Sequence, residues 1–166
     1  MATITLKGNP IHTAGNLPAV GQPMPDFLLT KTDLSDISLS AFTGKRIVLN
    51  IFPSLDTGVC AASVRRFNAE AEKVPGTVVL CVSKDLPFAH ARFCTTEGLL
   101  HVISASELRN DNFGRDFGVT ITDGPLAGLL SRAVVIADEQ GRVIHTEQVP
   151  EIVQEPDYEK ALAVLR

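Results

Sequence analysis

Residues Arg46 to Ser83 read RIVLNIFPSLDTGVCAASVRRFNAEAEKVPGTVVLCVS, and this stretch decides the fold. Ile47 to Phe52 is a near-continuous apolar run with β-branched residues, the pattern of a strand covered on both faces in a parallel or mixed sheet. Pro53 stops it, and Ser54-Leu55-Asp56-Thr57-Gly58 makes a polar elbow. A helix is expected from about Val59 to Lys73, because Cys60, Val64, Phe67, Ala71 and Val74 fall on one helical stripe. Pro75-Gly76 ends it, and Thr77 to Ser83 is a second buried strand. Strand, helix and strand form a βαβ unit, whose crossover should be right-handed.

Outward from this unit the signals weaken. Toward the N-terminus, Thr3 to Thr13 reads as two short strands around a Gly8-Asn9-Pro10 turn. Gly15 to Asp26, with three prolines and two glycines, is an extended approach, and Phe27 to Phe42 supports a short strand plus a turn. Toward the C-terminus a shorter helix is expected from Pro87 to about Cys94. Arg132 to Ala137 and Val143 to Thr146 flank Asp138-Glu139-Gln140-Gly141 as a hairpin, and Tyr158 to Leu165 closes as a helix. A βαβ unit, a hairpin and a terminal helix, in that order, suit an α/β thioredoxin-like fold with a central mixed sheet flanked by helices. The Cys-x-x-Cys of many redox-active members of that fold is absent.

The 166 residues, 45% hydrophobic and 20% charged, fit one domain spanning residues 1–166. A chain of that length hides roughly 70% of its unfolded surface, so a core needs neither disulfide nor metal. Fifteen Lys and Arg against nineteen Asp and Glu give a net charge of −4, with no basic run and no aromatic ladder, so nucleic acid is excluded as a partner. No apolar stretch approaches the ~18–20 residues of a bilayer span. The first residues carry no charged leader or apolar core of a signal peptide, and a soluble, cytoplasmic protein is expected.

The three cysteines differ in context. Cys81 lies mid-strand between Leu80 and Val82, where a thiol is a small hydrophobe. Cys60 falls in the first turn of a helix directly after a strand, where free backbone N–H groups and the helix dipole favour an anion, and thiolate is the nucleophilic form. Its place on the apolar stripe also suits a packed core cysteine. The preceding residues favour chemistry: Pro53 offers no competing N–H, and a Thr57 hydroxyl one turn from the sulfur can accept from backbone while donating to sulfur or a bound oxygen.

The block NIFPSLDTGVCAASVRRFN from Asn50 to Asn68 resembles the peroxidatic site of the thiol peroxidase group of peroxiredoxins. Leu86 to Cys94 (LPFAHARFC), Asp123 to Leu126 (DGPL), Arg132 to Val135 (RAVV) and Glu155 to Tyr158 (EPDY) are similar to that group as well, so the likeness covers nearly the whole chain. The resemblance implies that Cys60 is the peroxidatic cysteine, with Thr57, Pro53 and Arg132 completing its pocket. It implies that Cys94 resolves within the same subunit, that a thioredoxin-like protein is the reductant, that hydrogen peroxide and alkyl hydroperoxides are substrates, that no cofactor or metal is required, and that the protein is a homodimer. Leu126, Leu129 and Leu130 are candidates for an apolar surface near the site. An arginine entering a strand is ordinarily a solvated surface group. As a pocket residue, Arg132 would bring a permanent charge and a rigid fork of donors.

Geometry sets one demand on that scheme. A disulfide needs Cα atoms within about 7 Å, whereas Cys94 stands on the order of 10 Å along its helix from the sheet edge. The helix around Cys94, with or without the first turn at Cys60, is expected to unwind between dithiol and disulfide forms. Closing the loop restricts the unfolded chain by roughly 3.8 kcal/mol, which the rearrangement offsets in part.

Other classes fit less well. Cys60, five residues and Arg66 match the spacing of cysteine-dependent phosphatases and some arsenate reductases, but the residues between lack glycine and form helix. A peroxide-sensing redox switch would share Cys60 and Cys94 without turnover. His12, His90, His101 and His145 are scattered and read as surface or turn residues, which disfavours a Cys-His hydrolase or a metal site.

Overall fold

The computed structural model describes residues 1–109 and 111–166. Its core is the βαβ unit. Strand β5 (Arg46–Ile51) lies parallel to β6 (Thr77–Ser83) with Ile47 opposite Val78 and Asn50 opposite Cys81, and helix α1 (Gly58–Ala71) makes the crossover. Strand β7 (Val102–Ser106) adds in parallel on the far side of β6. Antiparallel strands extend both flanks: β3 (Leu28–Lys31) and β4 (Asp36–Ser38) beyond β7, and β8 (Ala133–Ala137) and β9 (Val143–Gln148) beyond β5. The sheet order is thus β4-β3-β7-β6-β5-β8-β9, with only the central three strands parallel.

Side chains alternate across this sheet because successive residues of a strand face opposite ways. From β5, Ile47, Leu49 and Ile51 enter one core with Phe27, Leu80, Phe113 and Phe117, while Val48 and the following Phe52 enter the other with Cys60, Val64, Phe67 and Leu162. The second core is the underside of α1. Phe67 is fully buried there, its ring 5.4 Å from that of Tyr158 on helix α4 (Tyr158–Ala163), and replacing it with alanine should cost about 3–5 kcal/mol.

The sequence reading of the N-terminus holds as a hairpin but shifts by two residues. Strands β1 (Thr3–Leu6) and β2 (Asn9–His12) pair, and the turn is Lys7-Gly8, both at positive φ (50° and 82°). Two consecutive residues at positive φ give the reversed turn whose twist matches a hairpin, so Asn9 and Pro10 fall in the strand. The Glu151 carboxylate accepts from the Lys7 and Gly8 amides, from the Val153 amide and from the Thr5 hydroxyl, which fastens the hairpin to residues 151–153.

Three further differences have physical causes. Phe27 to Phe42 holds two paired strands and a short 3-10 helix (Leu39–Phe42) instead of one strand and a turn, because Leu34 adopts a positive φ of 69° that no sequence rule assigns to leucine. Strand β7 and the short helix α3 (Asn112–Asp116) have no counterpart in the sequence reading, since their half-polar residues show neither period clearly. Helix α2 runs Pro87–Glu97 and passes Cys94 by one turn, ending at Gly98 in the left-handed conformation. Among the described residues no helix is long and apolar enough to cross a membrane.

Candidate functional site

The elbow after β5 carries the chain from the sheet into α1 and places three of the expected residues together. Pro53 is buried at its start. Thr57 is the N-cap of α1 with extended dihedrals (φ −103°, ψ 141°), and its hydroxyl oxygen accepts from the Cys60 amide at 3.4 Å. The Thr57 proton is directed to the Ser54 carbonyl at 3.2 Å instead of to the sulfur, so its observed work is to close the helix end.

Cys60 is fully buried, and Arg132 reaches its sulfur: Nη2 lies 3.2 Å from Sγ. Arg132 is not the solvated surface group that an arginine entering a strand ordinarily is: it is only 2% exposed and stands where the chain enters β8, beside β5. Its Nε donates to the Ile152 carbonyl at 2.8 Å, and its own carbonyl accepts from the Gln148 side chain and the Val149 amide. Nη1 is buried without a hydrogen-bond partner among the described residues. A guanidinium taken out of water is costly unless a charge answers it. Here its hydrogen-bond partners are the Ile152 carbonyl and the Cys60 sulfur, and no carboxylate pairs with it among the described residues.

Arg132 also lines a cavity of about 280 Å³ with Pro53, Thr57, Leu6, Leu126 and Ile152. The hairpin supplies Leu6, and the Glu151 clasp sets Ile152 in place for both the wall and the carbonyl that aims Arg132. Leu126 and Leu129 line the cavity as expected, whereas Leu130 is fully buried in the sheet core. Gly124, before Leu126, sits at φ 73° and so close to β2 that a Cβ would come within 2.7 Å of Ile11.

Cys94 is half-buried on α2, and its sulfur pairs with Ser104 Oγ at 3.2 Å. Cys60, Cys81 and Cys94 are all free thiols in this structure. Cys81 is fully buried, burial pushes its thiol up to about 12, and the Asn50 amide at 3.7 Å opposes that only in part. It is the packing residue its strand position suggested. Arg66 turns away from Cys60 to pair with Glu70 and Glu159 and to cover the Tyr158 ring, which removes the oxyanion-loop reading.

Sequence reasoning missed the residues behind the elbow. The Asp85 carboxylate accepts from Ser54 Oγ and from the Leu55 amide, both at 2.8 Å, and from Ser83 Oγ. His90 is fully buried, against the surface reading, and burial pushes its imidazole down to about 4 despite the nearby Asp85. No motif announces Asp85, and the Leu86 to Cys94 block contains His90 without marking a role for it. The available signal was that Ser83 and Asp85 directly precede the Pro87 that opens α2. Lys84 between them pairs with the buried Glu107 at 3.3 Å and does not serve Cys60.

Fold and site together define a thioredoxin-like protein that holds one cysteine at a helix N-terminus against a buried arginine. The Redoxin family pattern matches residues 19–162, and the chain belongs to that family, in its thiol peroxidase branch. It is 60% identical over 165 residues to the thiol peroxidases of Mycobacterium bovis and Mycobacterium tuberculosis, with 99% of each chain covered. A peroxiredoxin-like protein from Aquifex aeolicus superposes with a TM-score of 0.93 at 36% identity, covering 99% of this chain and 96% of that one. A thiol peroxidase from Chromobacterium violaceum gives 0.91 at 23% identity, with the same coverage, and shares the fold.

Proposed function

We propose that this chain is a thiol-dependent peroxidase that reduces hydrogen peroxide and alkyl hydroperoxides at Cys60. The observation that carries the reading is the buried Arg132, with one nitrogen on the Cys60 sulfur and another unpartnered beside an apolar cavity. A peroxide entering that cavity would lay its organic part against Leu6, Leu126 and Ile152 and its oxygens toward Arg132. Thiolate attack then breaks the O–O bond and forms an S–O bond. The leaving alkoxide or hydroxide takes a proton, and Arg132 with backbone N–H groups stabilises its developing charge. The product is a sulfenic acid on Cys60.

Cys94 is the proposed resolving cysteine. Its thiol sulfur displaces the sulfenic hydroxyl: an S–S bond forms, the S–O bond breaks, and the oxygen leaves as water with the thiol proton. A thioredoxin-like dithiol then exchanges the disulfide away. Pro53 shields the sulfur and Thr57 holds the helix end that surrounds it. We further propose that the chain works as a single-domain homodimer in the cytoplasm.

The test is peroxide consumption at the expense of a reduced thioredoxin. Many turnovers per protein, lost in Cys60→Ser, support the proposal. Consumption of a single equivalent without recycling would replace it with a peroxide-sensing switch.

A further inference from the structure

Cys94 and Arg132, the partner of Cys60, line different spaces. Cys94 lines a cavity of about 340 Å³ with Lys31, Ala91, Leu99 and Ser104, which shares no lining residue with the Arg132 cavity. Each sulfur is engaged elsewhere, one by Arg132 and the other by Ser104. Helix α2 therefore has to leave its seat before the two can join, and the seat is modest: of its eleven residues Pro87 and His90 are buried, while Phe93 and Cys94 pack only partly buried against the core beneath α1.

The first turn of α2 is nevertheless tied down by a polar chain. Ser83 Oγ lies 2.5 Å from Asp85 Oδ2 and 3.1 Å from His90 Nε2, and it accepts from the Asp85 amide at 3.1 Å. A hydroxyl has one proton, and the carboxylate at the shorter distance takes it. His90 must then donate through Nε2–H, which leaves Nδ1 bare, buried and without a partner among the described residues. The same carboxylate holds the Ser54 hydroxyl and the Leu55 amide of the elbow in front of Cys60. An exposed Arg92–Asp56 pair at 3.5 Å spans the same two segments and adds little in water.

We propose that Asp85 is a positioning residue that latches the helix of Cys94 to the elbow of Cys60, through Ser83 and His90 on one side and Ser54 and Leu55 on the other, and so sets the rate at which Cys94 is released. This rests on the proposed peroxidase reading and names what regulates its second step. While the latch is closed, the elbow and the N-terminus of α1 are held for attack on peroxide. Opening it returns His90 to water, where its bare nitrogen finds a partner, and frees α2 to carry Cys94 to the sulfenic acid.

The experiment separates the two steps in the full chain. Reduced protein is mixed with one equivalent of cumene hydroperoxide, peroxide loss reports sulfenic acid formation, and acid quench with mass spectrometry reports Cys60–Cys94 closure. In Asp85→Asn closure should accelerate roughly tenfold, the size expected for losing a hydrogen bond to a carboxylate, while peroxide attack slows. His90→Leu, which cuts only the α2 side, should accelerate closure with attack unchanged. A purely structural role for these residues would slow both steps together. That result, or closure no faster than in the parent chain in His90→Leu, overturns the latch, and His90→Leu carries the test alone if Asp85→Asn does not fold. Absence of any sulfenic acid in the parent chain overturns the reading of Cys60 and the latch with it.

Discussion

Helices α1 and α2 each carry one cysteine of the proposed pair, yet they are built to opposite ends. Helix α1 buries five of its fourteen residues and begins at a side-chain cap from Thr57. Helix α2 buries two of eleven, begins at Leu86 with no side-chain cap, and is held by the Ser83–Asp85–His90 chain, the Cys94–Ser104 contact, an exposed Arg65–Glu97 pair and the partly buried Phe93 and Cys94. Core burial is lost only when the domain unfolds, whereas a few polar links at a helix end can break locally. On the proposed reading, the cysteine held for attack is thus on the more deeply anchored helix, and the one that travels is on the more shallowly seated helix.

The largest test of this contrast compares the two sulfurs. Cys60→Ser should lower peroxidase turnover at least about 1000-fold, because it removes the nucleophile itself. Cys94→Ser should still react once with peroxide, with thioredoxin-supported turnover falling at least about tenfold as recycling loses its disulfide. Equal loss of the first reaction in both variants would break the division of labour. Next in size is Arg132→Met, which keeps much of the side chain's bulk and removes its donors. The rate constant for peroxide attack should fall about 100-fold, the range for one lost transition-state donor, with closure of the disulfide unaffected.

Acid should act on α2 before α1. Burial holds His90 near 4, below the 6.5 of an exposed imidazole, so the unfolded chain binds the extra proton first. Stability is fully present above pH 6.5 and falls as the pH drops toward 4, by up to about 3 kcal/mol from this residue. Denaturant titrations at pH 7 and 4.5 should show that loss in the parent chain and much less of it in His90→Leu, with hydrogen exchange rising first at Pro87 to Glu97. Smallest is Thr57→Ala, which removes the cap of α1 and should cost about 1 kcal/mol in global stability. A loss of protection confined to α2 in that variant would contradict the anchoring of α1.

What the sequence made legible follows the same division. The apolar runs of β5 and β6 and the stripe from Cys60 to Phe67 are strong periodic signals, and the structure builds its centre from them. Pro53, Thr57 and Cys60 fall within eight residues of one another, so their grouping could be read directly. Arg132 was found through resemblance, because its burial depends on the Ile152 carbonyl and on strand pairing across the sheet, neither of which leaves a local pattern. Asp85 and His90 stayed hidden for the same reason: a carboxylate and an imidazole look like surface residues until Ser54, Leu55 and Ser83 close around them. Strand β7 was invisible because Ser104 and Ser106 face inward, one toward Cys94 and both buried.

The most direct measurement of the central claim is the identity of the bond made after one turnover. Reduced protein treated with one equivalent of hydroperoxide, blocked with a thiol reagent and digested should yield the Cys60 and Cys94 peptides joined within one subunit, with Cys81 carrying the blocking group. Cys60 recovered as a blocked thiol after the peroxide has been consumed, or joined to Cys81 instead, would contradict the account.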